Sequence, residues 1–366
     1  MDATNIQNTE QPQKKSWLRK LLKVLGRVAL VLLETVVLLV AILYGVMYIL
    51  AKGPSPTARD IFVMSVRETS AVGFLADLFF TPEEIAAIES KEEAEDYIET
   101  DTSLIVIPTE PDDQQTETGP VPDQWGLVDE DGDGIILNQV RGEGYNGYMM
   151  VILDPSRVIM GCVPESFGVR SYTVEQMAKK FGAVAAINAG GFLDEGGTGR
   201  GETPDSMVVY EGKIYYAENG VRLGFVGLDQ NHIMHVGNLY PGAVRERGIR
   251  YGVAFGPVLV ANGEMTAQAK QGSGVNPRTA IGQRSDGAIL MLVIDGRQVI
   301  SLGATMEDLV DIMMEYGAVN ACNLDGGSSS LMWFEGEYVN NCASVIGIRP
   351  VPTTFLVLKE GVKDNG

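Results

Sequence analysis

Four short stretches of this sequence combine carboxylates, an arginine and glycines in a pattern that could act on a phosphorylated sugar. They are Ile187–Phe192 (INAGGF), Gly274–Gly282 (GVNPRTAIG), Leu292–Arg297 (LVIDGR) and Leu324–Ser330 (LDGGSSS). Arginine presents a planar fork of donors that matches a phosphate, and successive glycines can turn backbone N–H groups toward an anion. A carboxylate at the same place could serve as acid, base or nucleophile.

The residue types predict an anion site and a reactive carboxylate. We expect Arg278 to clamp the phosphate, and Gly326 and Gly327 to form a backbone nest to which Ser328 adds a hydroxyl donor. Asp325 follows directly after an apolar run and is the carboxylate on which the chemistry is expected to depend.

Each stretch also has a purely structural interpretation. Asp295 could be a second reactive carboxylate or a supporting residue, but Asp295–Gly296 is equally typical of a type I′ hairpin turn. Pro277–Thr279 could be a rigid turn with a structural arginine, and Asp325–Ser330 could be a flexible loop.

The Asp325 loop ends one of two similar segments. Thr173–Gly191 and Thr305–Gly327 each contain a threonine N-cap, a helical pattern, a glycine, a Gly-Ala-Val strand start and an asparagine near the strand end. The second segment has Asp325 where the first has Gly190. Two such helix–strand units side by side would bring both polar tips to one edge of a sheet, where ligands bind in open α/β sheets. The alternative is a coincidence between two ordinary units.

The N-terminal region predicts a membrane anchor. Six basic residues precede an apolar run, Val28–Ala51, that is interrupted only by Glu34 and is long enough to cross a bilayer. The basic cluster places the N-terminus in the cytoplasm and the rest of the chain outside. A cleavable signal peptide is the alternative, but the apolar run is long for one and no clear cleavage site follows it.

The composition along the chain predicts five regions and an α+β fold. The domain is expected to be a mixed β-sheet with a few packed helices, preceded by a single transmembrane helix. The predicted regions are a cytoplasmic basic tail (1–27), the transmembrane helix (28–51), a helical juxtamembrane segment (52–99), an acidic linker (100–124) and the main domain (125–366).

Charge and cysteine content restrict the partners and cofactors. The formal net charge of −20 argues against nucleic acid as a partner. Three cysteines form no zinc spacing, although a Cys322–Cys342 disulfide is conceivable in an extracellular protein. Asp129–Gly134 matches the first half of a calcium loop, but Val140 stands where a bidentate glutamate is required. No metal or cofactor is therefore predicted.

Taken together and in this order, the motifs resemble the phosphodiester glycosidase family. The resemblance covers roughly Gly144 to Leu358 and includes Phe255–Gly263 (FGPVLVANG) besides the stretches quoted above. It implies that a sugar is removed from a sugar-1-phosphodiester by cleavage of the glycosidic bond. The residues that fall on the family's site motifs are Asn188, Gly191, Phe192, Arg278, Thr279, Asp295, Arg297, Asp325, Gly326, Gly327 and Ser328. In this scheme Asn188 would bind sugar hydroxyls.

The expected function is that of a membrane-anchored extracellular hydrolase acting on envelope or extracellular polysaccharide. Two other classes remain open. A non-catalytic glycan- or polymer-binding module would keep Arg278 and the glycines without needing Asp325. A metal-dependent phosphodiesterase would cut the P–O bond instead, although the two histidines of the chain offer few ligands for it.

Overall fold

The computed structural model describes residues 12–67, 73–89, 98–108, 121–194, 199–216, 223–270, 273–344 and 347–362. In this part of the chain the α-helices are α1 (Pro12–Lys52), α2 (Pro56–Arg67), α3 (Phe74–Asp77), α4 (Pro82–Glu89), α5 (Val174–Phe181), α6 (Pro241–Glu246), α7 (Ala267–Lys270) and α8 (Met306–Glu315). Short 3-10 turns lie at Thr102–Leu104, Pro155–Arg157, Pro164–Ser166 and Gly327–Ser329.

The β-strands make up most of the main domain. They are β1 (Ile135–Gly142), β2 (Tyr145–Ile152), β3 (Val158–Cys162), β4 (Ala183–Asn188), β5 (Val208–Tyr210), β6 (Lys213–Tyr215), β7 (Leu223–Asp229), β8 (Met234–Leu239), β9 (Ile249–Ala254), β10 (Val258–Ala261), β11 (Glu264–Met265), β12 (Arg278–Arg284), β13 (Ile289–Ile294), β14 (Ala318–Leu324), β15 (Met332–Phe334), β16 (Glu337–Tyr338) and β17 (Thr353–Leu358).

The described strands form three antiparallel sheets. A seven-stranded sheet has the order β1-β2-β13-β12-β14-β10-β11, and the two five-stranded sheets have the orders β16-β15-β4-β17-β3 and β6-β5-β9-β7-β8. With a few helices packed on these sheets, the α+β class predicted from the sequence is confirmed.

Strand β13 shows how the core is built on both faces of the seven-stranded sheet. Its residues Ile289, Met291 and Val293 lie in the core that this sheet shares with the two five-stranded sheets. The alternate residues of β13 point to the opposite face, where they pack with buried side chains of α8. A strand buried on both faces reads as a continuous apolar run, as Ile289–Ile294 does.

The helix α1 is the candidate membrane segment. Its part Lys20–Lys52, 33 residues long, is long and apolar enough to cross a bilayer. It contains the span predicted over 28–51. Such a helix is typical both of a membrane anchor and of a signal sequence.

The two predicted helix–strand units exist, but their strands belong to different sheets. Both helices begin with a capping box, Thr173 with Gln176 and Thr305 with Asp308. The strand β4 lies between β15 and β17, whereas β14 lies between β12 and β10. The expectation of a shared sheet edge is therefore wrong. The two strand ends meet across neighbouring sheets instead, because the Asp325 N–H donates to the Ala189 carbonyl at 2.9 Å.

The region predicted as an acidic linker, 100–124, is attached to the domain on both flanks. Thr100 exchanges two hydrogen bonds of 2.8 Å with the backbone of Val236, and the Val106 N–H donates to Ser285. On the other flank the Asp123 carboxylate accepts from the buried Arg284 guanidinium at 2.8 Å. The predicted linker is thus too long, and its centre, 109–120, lies outside the described residues.

Candidate active site

The carboxylate of Asp325 stands at the end of β14 on a loop that is fixed from two sides. The backbone of Asp325 is bound to the end of β4, since its N–H donates to Ala189 and its carbonyl accepts from the Asn188 side-chain amide. Two residues later the Gly327 N–H donates to the Pro277 carbonyl at 2.8 Å. The backbone that carries the Asp325 carboxylate is thereby fixed at the junction of the two sheets.

The surroundings of Asp325 make it a weak acid. Burial raises the pKa of the Asp325 carboxyl to about 7, although the Ser329 hydroxyl donates a hydrogen bond that opposes the shift. The negative charge of Asp205 raises the pKa further, while the Arg349 guanidinium and the Gly326 N–H lower it. The residue as a whole is half-buried. Asp325 can therefore both hold and release a proton near neutral pH.

Asn188 is fully buried and supports the Asp325 loop through hydrogen bonds. Its side-chain oxygen accepts hydrogen bonds from the Thr279 hydroxyl at 2.8 Å and from the Leu331 N–H at 3.1 Å, and its amide donates to Asp325. With its amide engaged by protein groups, Asn188 is placed to support the Asp325 loop and offers no exposed surface to a sugar hydroxyl.

Replacing Asn188 with alanine should therefore cost stability. The change would leave the buried Thr279 and Leu331 donors without an acceptor, and we expect the free energy of unfolding to fall by about 2–4 kcal/mol. Denaturant unfolding measures this, with Asn231→Ala at an exposed turn as the matched control. An Asn188→Ala protein with parental stability and a raised KM would instead restore the predicted contact with the sugar.

Arg278 is also buried and donates to the backbone. Its guanidinium reaches the Gly274 carbonyl at 2.6 Å and the Ala304 carbonyl at 3.2 Å, and only 6% of the residue is exposed. This geometry favours a structural role, in which Arg278 ties two loops together, over the predicted phosphate clamp.

The glycines of the Asp325 loop allow close packing and do not form the predicted anion nest. The Gly327 N–H is used by Pro277, and the Gly326 N–H bonds the Asp325 carboxylate. A side chain on Gly326 would place its Cβ 2.8 Å from the Pro277 carbonyl oxygen, and Gly327 has a left-handed φ of +61°. Both positions therefore require glycine for backbone reasons.

Two arginines approach Ser328 and Gly327 from outside the loop. Arg349, which no sequence motif pointed to, donates to the Ser328 hydroxyl at 2.9 Å and pairs with Asp194. Arg297 lies beside Gly327, where a Cβ would come within 3.2 Å of its guanidinium. Two guanidinium groups close to one short turn are suited to bind an anion.

Phe192 forms one wall of this arrangement. The Arg349 guanidinium carbon lies 5.1 Å from the centre of the Phe192 ring, within the range of a cation–π contact. The backbone of Phe192 pairs with Pro204, which brings the segment around Asp205 to the same place. The aromatic ring thus holds the arginine against the Ser328 turn.

Asp295 binds the neighbouring loop at Asn340 and Asn341. Its carboxylate is buried and accepts hydrogen bonds from the Asn340 amide (3.0 Å), the Asn341 N–H (2.9 Å) and the Asn341 amide (3.1 Å). The type I′ hairpin interpretation does not hold, because the chain after Asp295 runs into a loop closed by a bond from Arg297 to Leu302. The contacts fit the supporting role predicted for this residue.

The structure therefore divides the predicted site residues into two groups. The residues gathered around the Asp325 turn are Gly191, Phe192, Arg297, Asp325, Gly326, Gly327 and Ser328. The residues buried behind it are Asn188, Arg278, Thr279 and Asp295. Sequence reasoning missed Asp205 and Arg349. Arg349 has one local signal, because it is a charged residue within an otherwise uncharged segment, and Asp205 has none.

The calcium-like segment forms an acidic cluster at the start of β1. Carboxylate oxygens of Asp129, Asp131 and Asp133 lie within 4.8 Å of one another. Backbone N–H groups of the same loop, those of Gly132 and Gly134, already donate to Asp129. These contacts are those of a self-bonded acidic turn.

Comparison with known proteins gives this site its context. The family model described as phosphodiester glycosidase matches residues 181–358, a segment that contains Asn188, Arg278, Asp325 and Arg349. Residues 181–358 belong to the phosphodiester glycosidase family. Membership supports a glycosidase-type role for the domain.

Two individual proteins resemble the phosphodiester glycosidase domain. The SPbeta prophage-derived uncharacterized protein YomE of Bacillus subtilis (strain 168) is 36% identical over 205 residues, which cover 53% of this chain and 31% of that protein. The chain thus spans about a third of the length of this curated relative. The catalytic domain of zebrafish N-acetylglucosamine-1-phosphodiester alpha-N-acetylglucosaminidase, auto-inhibited by its pro-peptide, is 18% identical, with a TM-score of 0.52. That match covers 62% of this chain and 82% of the zebrafish chain, and it shows a shared fold.

Proposed function

We propose that the domain hydrolyses the glycosidic bond of a sugar-1-phosphodiester and leaves a phosphomonoester. The observation that carries the proposal is the position of Asp325. Its carboxyl group, with a pKa of about 7, lies in the same turn as Ser328, to which Arg349 donates. A proton-exchanging carboxylate beside an anion site is what this reaction needs.

The phosphate is assigned to the turn formed by Gly327 and Ser328. A phosphodiester carries one negative charge, which the guanidinium groups of Arg297 and Arg349 would stabilise. Arg349 is held in place by Asp194 and Phe192, so its position is fixed before a ligand arrives. The Ser328 hydroxyl, which accepts from Arg349, can direct its own proton toward a phosphate oxygen.

The reaction then follows from the leaving group. As the bond between the anomeric carbon and the phosphate oxygen breaks, its electron pair leaves with the phosphate, which needs little acid assistance. Positive charge develops on the sugar ring, where the Asp325 carboxylate can stabilise it. Water attacks the anomeric carbon and gives a proton to Asp325. A base with a pKa near 7 is well matched to this step at neutral pH.

The products of the reaction test this proposal. The full-length chain in detergent would be incubated with a panel of sugar-1-phosphodiesters, and the products identified by mass. We expect free sugar and a phosphomonoester. Sugar phosphate and an alcohol would assign the domain to the phosphodiesterases. Binding without turnover of any compound would support a non-catalytic glycan-binding module.

We further propose that α1 is an uncleaved anchor and that the phosphodiester glycosidase domain lies outside the membrane. The basic residues before Val28 support a cytoplasmic tail, 1–27, followed by the span 28–51. The substrate would then be envelope or extracellular polysaccharide. Residues 98–107 are bonded to the domain, and the Ser65 hydroxyl of α2 accepts a hydrogen bond from the Val275 N–H at 2.9 Å, so the boundary is better placed near residue 60 than at 125.

Protease treatment of intact cells tests this topology. We expect a released fragment that begins between Thr57 and Gln124, detected by mass spectrometry, while a tag at the N-terminus stays protected until the cells are lysed. Complete protection of the domain in intact cells would reverse the orientation. Release of the domain without protease would indicate a cleaved signal sequence.

A further inference from the structure

A second carboxylate, that of Asp205, lies at the same strand end as Asp325 and has no role in the chemistry described so far. We infer that Asp205 is the functional partner of Asp325, and that the two carboxyl groups act as a pair that holds one proton between them after water has been activated. This inference rests on the proposed hydrolysis for its chemical purpose.

Asp205 is held by a short antiparallel pairing. The Leu193 N–H donates to the Thr203 carbonyl at 2.9 Å, and the Asp205 N–H donates to the Gly191 carbonyl at 3.3 Å. Between these bonds Phe192 pairs with Pro204. The backbone of Asp205 is therefore fixed to the chain that leaves β4.

Asp325 is fixed to the same short segment. Its N–H donates to the carbonyl of Ala189, two residues before Gly191, to which Asp205 is bonded. Asp205 and Asp325 are 120 positions apart in the sequence. Their backbone N–H groups nevertheless donate to the carbonyls of Gly191 and Ala189, which lie two residues apart after β4. Their proximity is a consequence of backbone bonding and not of a chance side-chain conformation.

Gly191 leaves room for the Asp205 carboxylate. A Cβ at this position would overlap Asp205 Oδ2 and would come within 2.8 Å of the Phe255 ring. Phe255 is itself 38% exposed, so an accessible aromatic surface borders the carboxylate. A residue with a side chain at position 191 would therefore displace the Asp205 carboxylate.

The charges that face Asp325 come from three segments. Asp205 contributes a like charge, Arg349 an opposite charge, and Ser329 a hydrogen bond. Arg349 is already paired with Asp194, so its charge is partly neutralised. Burial of its inner side also raises the pKa of Asp205, while its outer side remains exposed to solvent. Two neighbouring carboxylates disfavour each other's ionisation, so a single proton on the pair is stabilised.

The pair gives the proton a route to solvent. As the water oxygen bonds to the anomeric carbon, its proton moves to Asp325, and the electron pair of the broken bond leaves on the phosphate oxygen. Neutralising one of two like charges favours this transfer. The proton then passes to the exposed Asp205 and from there to bulk water, which returns both carboxylates to their starting state.

An Asp205→Asn variant tests the pair without depending on turnover. The full-length chain, labelled at aspartate with carboxyl 13C, would be titrated by NMR in detergent, and the Asp325 resonance assigned by its loss in Asp325→Asn. Removing the Asp205 charge makes Asp325 easier to ionise, so its midpoint should move down by roughly 0.5–1 pH unit. Asp205→Glu, which keeps the charge, should restore the midpoint, and Asp311→Asn at an exposed position of α8 should leave it unchanged.

Activity provides the second measurement. In Asp205→Asn the acid limb of kcat/KM should move to lower pH by the same amount as the NMR midpoint, and kcat should fall at least about tenfold. An unchanged Asp325 midpoint in folded Asp205→Asn would overturn the pair. If the parent protein turns over no phosphodiester, the proposed function fails, while the NMR titration still decides whether the two carboxyls are coupled.

Discussion

Replacing Asp325 with asparagine is expected to lower kcat at least about a hundredfold and to change KM little. Asparagine is nearly the same size and keeps the backbone bond from the Asp325 N–H to Ala189. It cannot accept a proton or carry the negative charge that opposes positive charge on the sugar ring. Steady-state kinetics on a soluble sugar-1-phosphodiester would measure both constants.

The control for Asp325→Asn must separate catalysis from folding. Asp311→Asn, at an exposed position of α8, makes the same chemical change without touching the site, and should retain parental kcat. Thermal unfolding of Asp325→Asn should remain close to that of the parent, since the amide replaces a carboxylate whose burial raises its pKa to about 7. A folded Asp325→Asn protein with near-parental kcat would remove the catalytic assignment and favour a binding module.

The same assignment fixes the sign of the pH dependence. A base must be deprotonated to act, so kcat/KM of the parent should rise with pH through about 7, where Asp325 loses its proton. In Asp325→Asn this limb should disappear.

Replacing Arg349 with lysine is expected to lower kcat/KM by roughly 10–150-fold, mainly through KM. Lysine keeps the positive charge but loses the planar fork that contacts Ser328 and Asp194 together. A hydrogen bond to a charged group contributes about 1.5–3 kcal/mol, which corresponds to this range. Competition by a phosphomonoester product would show whether the loss concerns the phosphate.

Arg278→Lys is the matched comparison for Arg349→Lys. Because Arg278 donates to the Gly274 and Ala304 carbonyls, its replacement should lower the unfolding temperature and leave KM nearly unchanged in the folded protein. The opposite pattern, with KM raised in Arg278→Lys and unchanged in Arg349→Lys, would return the phosphate to Arg278 as the sequence predicts.

The parts of the fold that could be predicted are those with local signals. The caps at Thr173 and Thr305 and the apolar run Ile289–Ile294 each carry their own pattern within about ten residues. The strand β12 lacks such a pattern, because it begins at Arg278 and contains Gln283. Gln283 is fully buried and bonds the Met234 N–H, a partner 49 residues away that no local pattern reveals.

In the candidate site, too, the residues with a local signal in the sequence are the ones that could be predicted. Asp325 could be identified because it replaces Gly190 in a repeated unit, so the fold itself does not require an acid there. Asp205 and Arg349 could not, because each reaches the site through pairing with distant segments. The chemistry of Arg278 alone predicts a phosphate clamp, whereas its burial depends on how Gly274 and Ala304 come together.

The position of the bond that breaks is the central claim, and hydrolysis in water enriched in 18O tests it most directly. If water attacks the anomeric carbon, as the account predicts, the phosphomonoester product contains no 18O from the solvent and the new oxygen is found on the sugar. Mass spectrometry of the phosphomonoester provides the readout, because its oxygens do not exchange with water on the time scale of the assay. A phosphate product that carries one solvent 18O atom would show P–O cleavage and would contradict the role proposed for Asp325.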